Sequence, residues 1–153
     1  METLQISKTN VLKAFKNAKA EGKDLLSDLF GKEVLSGKIT DRIKTFADAC
    51  EAVREDPNQS KFNTGSADDI AYQRLKVVVR ALNEGWTPDW NNSNQYKWYP
   101  WFYLDKPGFR FYGAGYAYAY SHATCGSRLC FSSEELAKYA ANQFLDLYKD
   151  FLS

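Results

Sequence analysis

The 153-residue sequence contains one histidine, one methionine, four prolines and three cysteines, and its 20 Lys and Arg are matched by 19 Asp and Glu. Each shortage excludes something. A net charge of +1 supplies no long-range field toward nucleic acid or an anionic membrane. No apolar run approaches the roughly 20 residues of a membrane helix. The opening METLQISKTN has no apolar core of signal-peptide length. Cys50, Cys125 and Cys130 are an odd number and form no disulfide framework, so a reducing cytoplasm is the expected compartment. With a single histidine there is no Ser-His-Asp, phosphate-loop or HExxH pattern.

Aromatic residues are abundant instead. Ten Tyr, ten Phe and four Trp make up 16% of the chain, most of them after residue 85. Length and composition fit one globular domain over 1–153, with a helical part to 85, aromatic-rich antiparallel strands over 86–131 and a C-terminal helix over 132–153.

In the first part, Val11, Ala14, Phe15 and Ala18 follow Thr9 as a candidate N-cap. Gly22 interrupts, Leu25, Leu26, Leu29 and Phe30 continue an apolar face, and Gly31 supplies a stop. A second helix is expected from Thr40, with Ile43, Phe46, Ala47, Cys50 and Val53 as its stripe and Pro57 as its close. DPNQSKFNTGS, residues 56–66, is turn-rich and predicts a linker or mobile loop. Ser66 then caps a helix carrying Ala71, Leu75, Val78 and Leu82, which Gly85 ends.

After Gly85 the period becomes two. Residues 96–104 and 108–120 are expected strands joined by the turn Asp105-Lys106-Pro107-Gly108, and Pro100 places the first at an edge or bulge. Residues 127–131 are a third expected strand. Ser132 with Glu135 predicts a capping box for a last helix striped by Leu136, Ala140, Phe144, Leu147 and Phe151. The fold class is therefore α+β: helices, a sheet of three to four antiparallel strands, and a C-terminal helix packed on it.

YGAGYAYAYSHATCGSRLCF, residues 112–131, puts alternate side chains on opposite faces. Arg110, Tyr112, Ala114, Tyr116, Tyr118, Tyr120 and His122 share one; Phe109, Phe111, Gly113, Gly115, Ala117 and Ala119 share the other. The Phe and small-residue face suits close packing against a helix. The phenol face is either a second layer of core with its hydroxyls at the surface or a recognition surface, for which Tyr offers large contact area at low entropic cost. Glycines at 113 and 115 also fit a loop.

Three further patterns carry less. His122, Cys125 and Cys130, with Cys50, superficially match zinc-ligand spacing, but Cys50 and Cys130 occupy positions typical of buried thiols. His122 and Cys125 as base and nucleophile lack an orienting third group. The run GWTPDWNNSNQYKWYPWF holds Trp86, Trp90, Trp98 and Trp101, which are either stacking platforms or, for at least two of them, core. With only Lys97, Arg110 and Arg128 nearby, a small nucleotide is easier to accommodate there than a polymer. No metal and no cofactor is expected.

ADDIAYQRLKVVVRALNEGWTPDWNNSNQYKWYPWF and GSRLCFSSEELAKYAANQFLDLYKDFL resemble a family of small uncharacterised proteins of gut Bacteroidetes and their phages and prophages. The resemblance covers residues from about 40 onward. It implies a phage or mobile-element setting in the bacterial cytoplasm and transfers no catalytic residue. The Tyr/Ala stretch departs from the acidic, Gly/Ser-rich wording of that family. The expectation is a non-catalytic binding protein holding a host protein or a small nucleotide-like molecule through Trp98, Arg110, Tyr112, Tyr116, Tyr118, Tyr120, His122 and Arg128. The alternative is a structural or assembly protein of the phage particle, with the aromatic surface as subunit interface.

Overall fold

A computed structural model describes residues 5–31, 35, 37–120 and 128–153. The chain forms two compact units, Met1–Arg42 and Ile43–Ser153. Together the described residues are α+β, with seven α-helices and one two-stranded antiparallel sheet.

The first unit contains α1 (Lys8–Asn17), α2 (Ala20–Phe30) and the single turn α3 (Ile39–Arg42). Val11, Leu12 and Leu35 form its small core, with Phe15, Leu26 and Phe30 against them. The first helix starts one residue before Thr9, with Ser7 at the N-cap. The break between α1 and α2 falls at Ala18 and Lys19, both extended, so Gly22 lies inside α2. Gly31, at φ 80°, ends α2 in a backbone region that a side chain would strain.

In the second unit, α4 (Phe46–Val53) is followed by a 3-10 turn at Ser60–Phe62 and the long α5 (Ala67–Asn83). The expected helix from Thr40 is interrupted at residues 43–45. Thr45 and Asp48 form a reciprocal capping box, so a new helix starts there. The carbonyls freed by the break are taken from far away. Tyr139 donates its hydroxyl to the Ile43 carbonyl at 2.6 Å and Gln143 its amide to the Lys44 carbonyl at 2.7 Å. Helix α4 ends at Val53, short of Pro57, with Arg54 in the left-handed region.

The turn-rich segment 56–66 is pinned to the core. Phe62 is fully buried and meets Phe46 edge-on, and the Arg74 guanidinium donates to the Phe62 carbonyl at 2.9 Å. Helix α5 is the centre of the unit. Ala71, Leu75, Val78 and Leu82 are buried as the spacing requires, and Val77 and Val79 on another face are buried too. It packs against both α4 and the last helix. Its capping hydroxyl at Ser66 accepts from the Asp69 amide.

The hairpin is β1 (Lys97–Tyr103) and β2 (Arg110–Ala117), with a bulge between Trp101 and Phe102. A third full strand does not form among the described residues. Phe131 makes a single antiparallel bridge to Trp98, because Cys130 and Ser132 are held by Asn83 at the end of α5. The Asn83 amide donates to the Cys130 carbonyl at 2.8 Å, and the Ser132 N–H donates back to its oxygen at 3.0 Å. The Ser132 N–H is thus taken from the capping box expected with Glu135, and Ser132 is not the cap. Ser133 is, accepting from the Leu136 N–H at 3.2 Å.

The last helix is two: α6 (Glu134–Gln143) and α7 (Leu145–Leu152), separated by a non-helical Phe144 at φ −116° and ψ 34°. The buried stripe is Ala137, Ala140, Ala141, Phe144 and Tyr148, turned from the expected Leu136 and Leu147. Its alanines let α6 lie close to both strands. No helix among the described residues is long and apolar enough to cross a membrane.

Candidate binding surface

Cross-strand pairing in the hairpin decides which rings meet. Trp98 lies opposite Tyr116, and Pro100 opposite Ala114. Tyr96 precedes β1 and Tyr118 follows β2, so the two extend the same face beyond the paired residues. Tyr96 stacks on Tyr116 with centroids 4.6 Å apart. Trp98 meets Tyr116 edge-on at 5.0 Å, and Tyr118 meets both Tyr116 and Tyr96 edge-on at 5.3 Å. These offset and T-shaped arrangements are the favourable ones for ring quadrupoles.

The cluster faces water. Tyr96, Tyr116 and Tyr118 retain 44%, 40% and 37% of their exposure, too much for a sealed second core. The Tyr118 hydroxyl donates to that of Tyr116 at 3.5 Å. That bond, with some loss of water and the neighbouring phenols, pushes the Tyr118 ionisation up to about 12.

The other face of the hairpin supports this one. Ala117 is buried, and Gly115 lies so near the Trp101 indole that an added Cβ would sit 2.5 Å from its Nε1. Phe102 packs on Tyr148 of α7 at 4.8 Å. Lys97 is completely buried on this side; its ammonium donates to the Asn92 carbonyl at 2.9 Å and lies 5.4 Å over the Trp90 ring. The asparagines of the 89–95 loop are used internally: the Asn91 and Asn94 N–H groups donate to Asp89 and Asn92 side chains in tight Asx turns. None of the four tryptophans is fully buried, and Trp101 is 46% exposed.

The other expected site residues are dispersed. Tyr112 pairs with Tyr103 at 4.8 Å near the hairpin turn. Arg110 stacks 4.1 Å over Tyr103 and is bonded to Asp105 at 2.9 Å, so it is committed to the turn. Tyr120 is 60% exposed, beyond the end of β2 at Ala117. Arg128 belongs to a separate cleft with Lys76 and Arg80. His122 and Cys125 lie outside the described residues. Cys50 and Cys130 are buried; burial and then the Glu55 and Asp56 carboxylates raise the Cys50 thiol, which disfavours the thiolate a metal would need. No cluster of three His, Cys, Asp or Glu placed for a metal occurs among the described residues.

The expected contact residues lack Tyr96, and Lys97, counted there as a cation near the tryptophans, is buried. Tyr96 had a signal, since it shares parity with Trp98. Lys97 had one as well, because its parity is that of Tyr99 and the buried face, where a lysine must find a partner. Comparison with family models, with curated proteins and with solved structures gives no match to this chain.

Proposed function

We propose that this chain is a non-catalytic binding protein that holds a partner protein on the aromatic face of its hairpin, in the bacterial cytoplasm and in the phage or prophage setting implied by the sequence resemblance. The observation that supports this is the contiguous set formed by Tyr96, Trp98, Tyr116 and Tyr118. Its rings are prearranged by contact with one another yet remain open to solvent. Rings already held in place lose little entropy on binding, and Tyr and Trp are the side chains on which interface energy concentrates. The fitting partner surface is one of aliphatic and cationic side chains, since ring faces attract both. A nucleotide-like ligand is less suited to this face, because Arg110, the cation expected there, lies at the hairpin turn paired with Asp105.

The test is quantitative capture from host lysate by wild type and by a Tyr96→Ser/Tyr116→Ser/Tyr118→Ser variant, followed by titration of the purified partner. A partner lost by the variant, with affinity at least about a hundredfold weaker, supports the proposal. Equal capture by both proteins overturns it. Concentration-dependent self-association that the variant abolishes assigns the face to assembly instead. If the triple variant fails to fold, Tyr96→Lys/Tyr118→Lys charges the face at two of its exposed positions.

A further inference from the structure

A concavity lined by none of the aromatic-face residues lies in the second unit. It is a cleft of about 390 Å³, within the range of small-molecule sites. Four cations line it: Lys61 from the 3-10 turn, Lys76 and Arg80 one turn apart on α5, and Arg128 from the segment leading to Phe131. Glu55 is the one carboxylate among its described lining residues, which leaves three positive charges in excess among them. A run of like charge along one helix is usually a solvated face. Here the cations come from three separate stretches of chain and converge on one hollow.

Glu55 engages two of them. It accepts from Lys61 at 2.9 Å and is also paired with Arg80. Lys76 and Arg128 are left with no carboxylate beyond Glu55 in the lining. The Lys76 ammonium lies 4.7 Å over the Tyr72 ring. Its pKa is held below the usual lysine value by burial, and further by Arg128, Lys61 and Arg80. After burial, the neighbouring cations disfavour the charged ammonium, and an anion in the cleft would favour it. Trp86 and Pro88 from the loop after α5 add an aromatic and an apolar wall beside the charges.

We infer that this cleft binds a small phosphorylated nucleoside, its phosphate between Lys76 and Arg128 and its base against Trp86. Guanidinium forks match phosphate oxygens in pairs, and an excess of three charges suits a phosphate better than a single carboxylate. A planar base fits an indole wall. The small volume and the chain's net charge of +1 favour a small ligand over a polymer, which needs a basic stripe along its path. This site is independent of the protein-binding face and stands or falls separately.

Calorimetric titration of the full chain with adenosine and guanosine 5′-monophosphates, inorganic phosphate and adenosine tests it. At least one nucleotide is expected to bind, inorganic phosphate about tenfold or more weakly, and adenosine not at all. Lys76→Gln/Arg128→Gln should weaken the nucleotide at least about tenfold while leaving the unliganded melting temperature unchanged or raised. Trp86→Ala should weaken the nucleotide and spare inorganic phosphate. Absence of binding by both nucleotides overturns the assignment, as does equal affinity in the double variant. Tighter binding of a single-stranded oligonucleotide than of either mononucleotide replaces the small ligand with a polymer.

Discussion

The aromatic face and the cationic cleft present opposite kinds of surface from the same unit. In the first, rings touch one another and each contact is already favourable without a partner. In the second, four cations share one hollow with one carboxylate among the described lining residues, and burial and then the neighbouring cations lower the Lys76 pKa. An aromatic surface is stable while exposed and can wait for a large partner. Removing a cation from a convergent cluster relieves like-charge repulsion, so its substitution need not harm the fold.

The sharpest break between the two regions tests their support. Tyr148→Ala removes a buried ring on which Phe102 rests and should cost about 3–5 kcal/mol in denaturant unfolding, taking the hairpin with it. A cost near zero would mean that the aromatic face does not depend on α7.

Ala117→Leu forces bulk into the layer beneath the phenols and should cost about 1–3 kcal/mol. Tolerance of leucine there would show a face less closely packed than the buried Ala117 implies.

On the cleft side, Glu55→Gln should cost about 1 kcal/mol near neutral pH, a modest value because Lys61 and Arg80 are half-exposed. The hydrogen bonds from Lys61 and Arg80 hold the Glu55 carboxyl below its usual range. A depressed folded pKa gives stability that is present above the unfolded value of about 4.3 and is lost as pH falls through the lower folded one. Wild type and variant should therefore converge in acid. A difference that persists there would assign the loss to packing. The same substitution frees Lys61 and Arg80, so it should strengthen nucleotide binding.

The smallest effect is spectroscopic. Phenolate absorbance should show one tyrosine ionising near 12 in the wild type, and Tyr116→Phe should bring it down toward the ordinary phenol value. Folding stability at neutral pH should hardly change, because the phenol is neutral there in both proteins. An unmoved titration would mean that Tyr116 does not hold Tyr118.

Much of the scaffold was legible in the sequence. The α5 stripe, its Ser66 cap and the turn at Asp105–Gly108 all depend on neighbours within a few residues, so composition and period expose them. The opposed faces of β2 follow from strand geometry in the same way. The caps that were misplaced show the limit. Ser132 and Ser133 are equally good by type, and the choice was made by Asn83, 49 residues away in sequence, which takes the Ser132 N–H. Among the described residues the third strand is reduced to one bridge between Phe131 and Trp98, and Asn83 holds the chain on either side of Phe131.

By itself, the sequence determined periodicity: which residues share a helix stripe or a strand face, and therefore that a row of phenols would lie opposite a row of small residues. Tertiary structure alone decided where the helices break, that Phe62 anchors the turn-rich loop, and that Lys61, Lys76, Arg80 and Arg128 meet around one hollow. The reason is range. Side-chain alternation and capping close within one turn, whereas the carbonyls of Ile43 and Lys44 find their donors 96 and 99 residues further on. A cleft built from three distant stretches has no signature in any one of them.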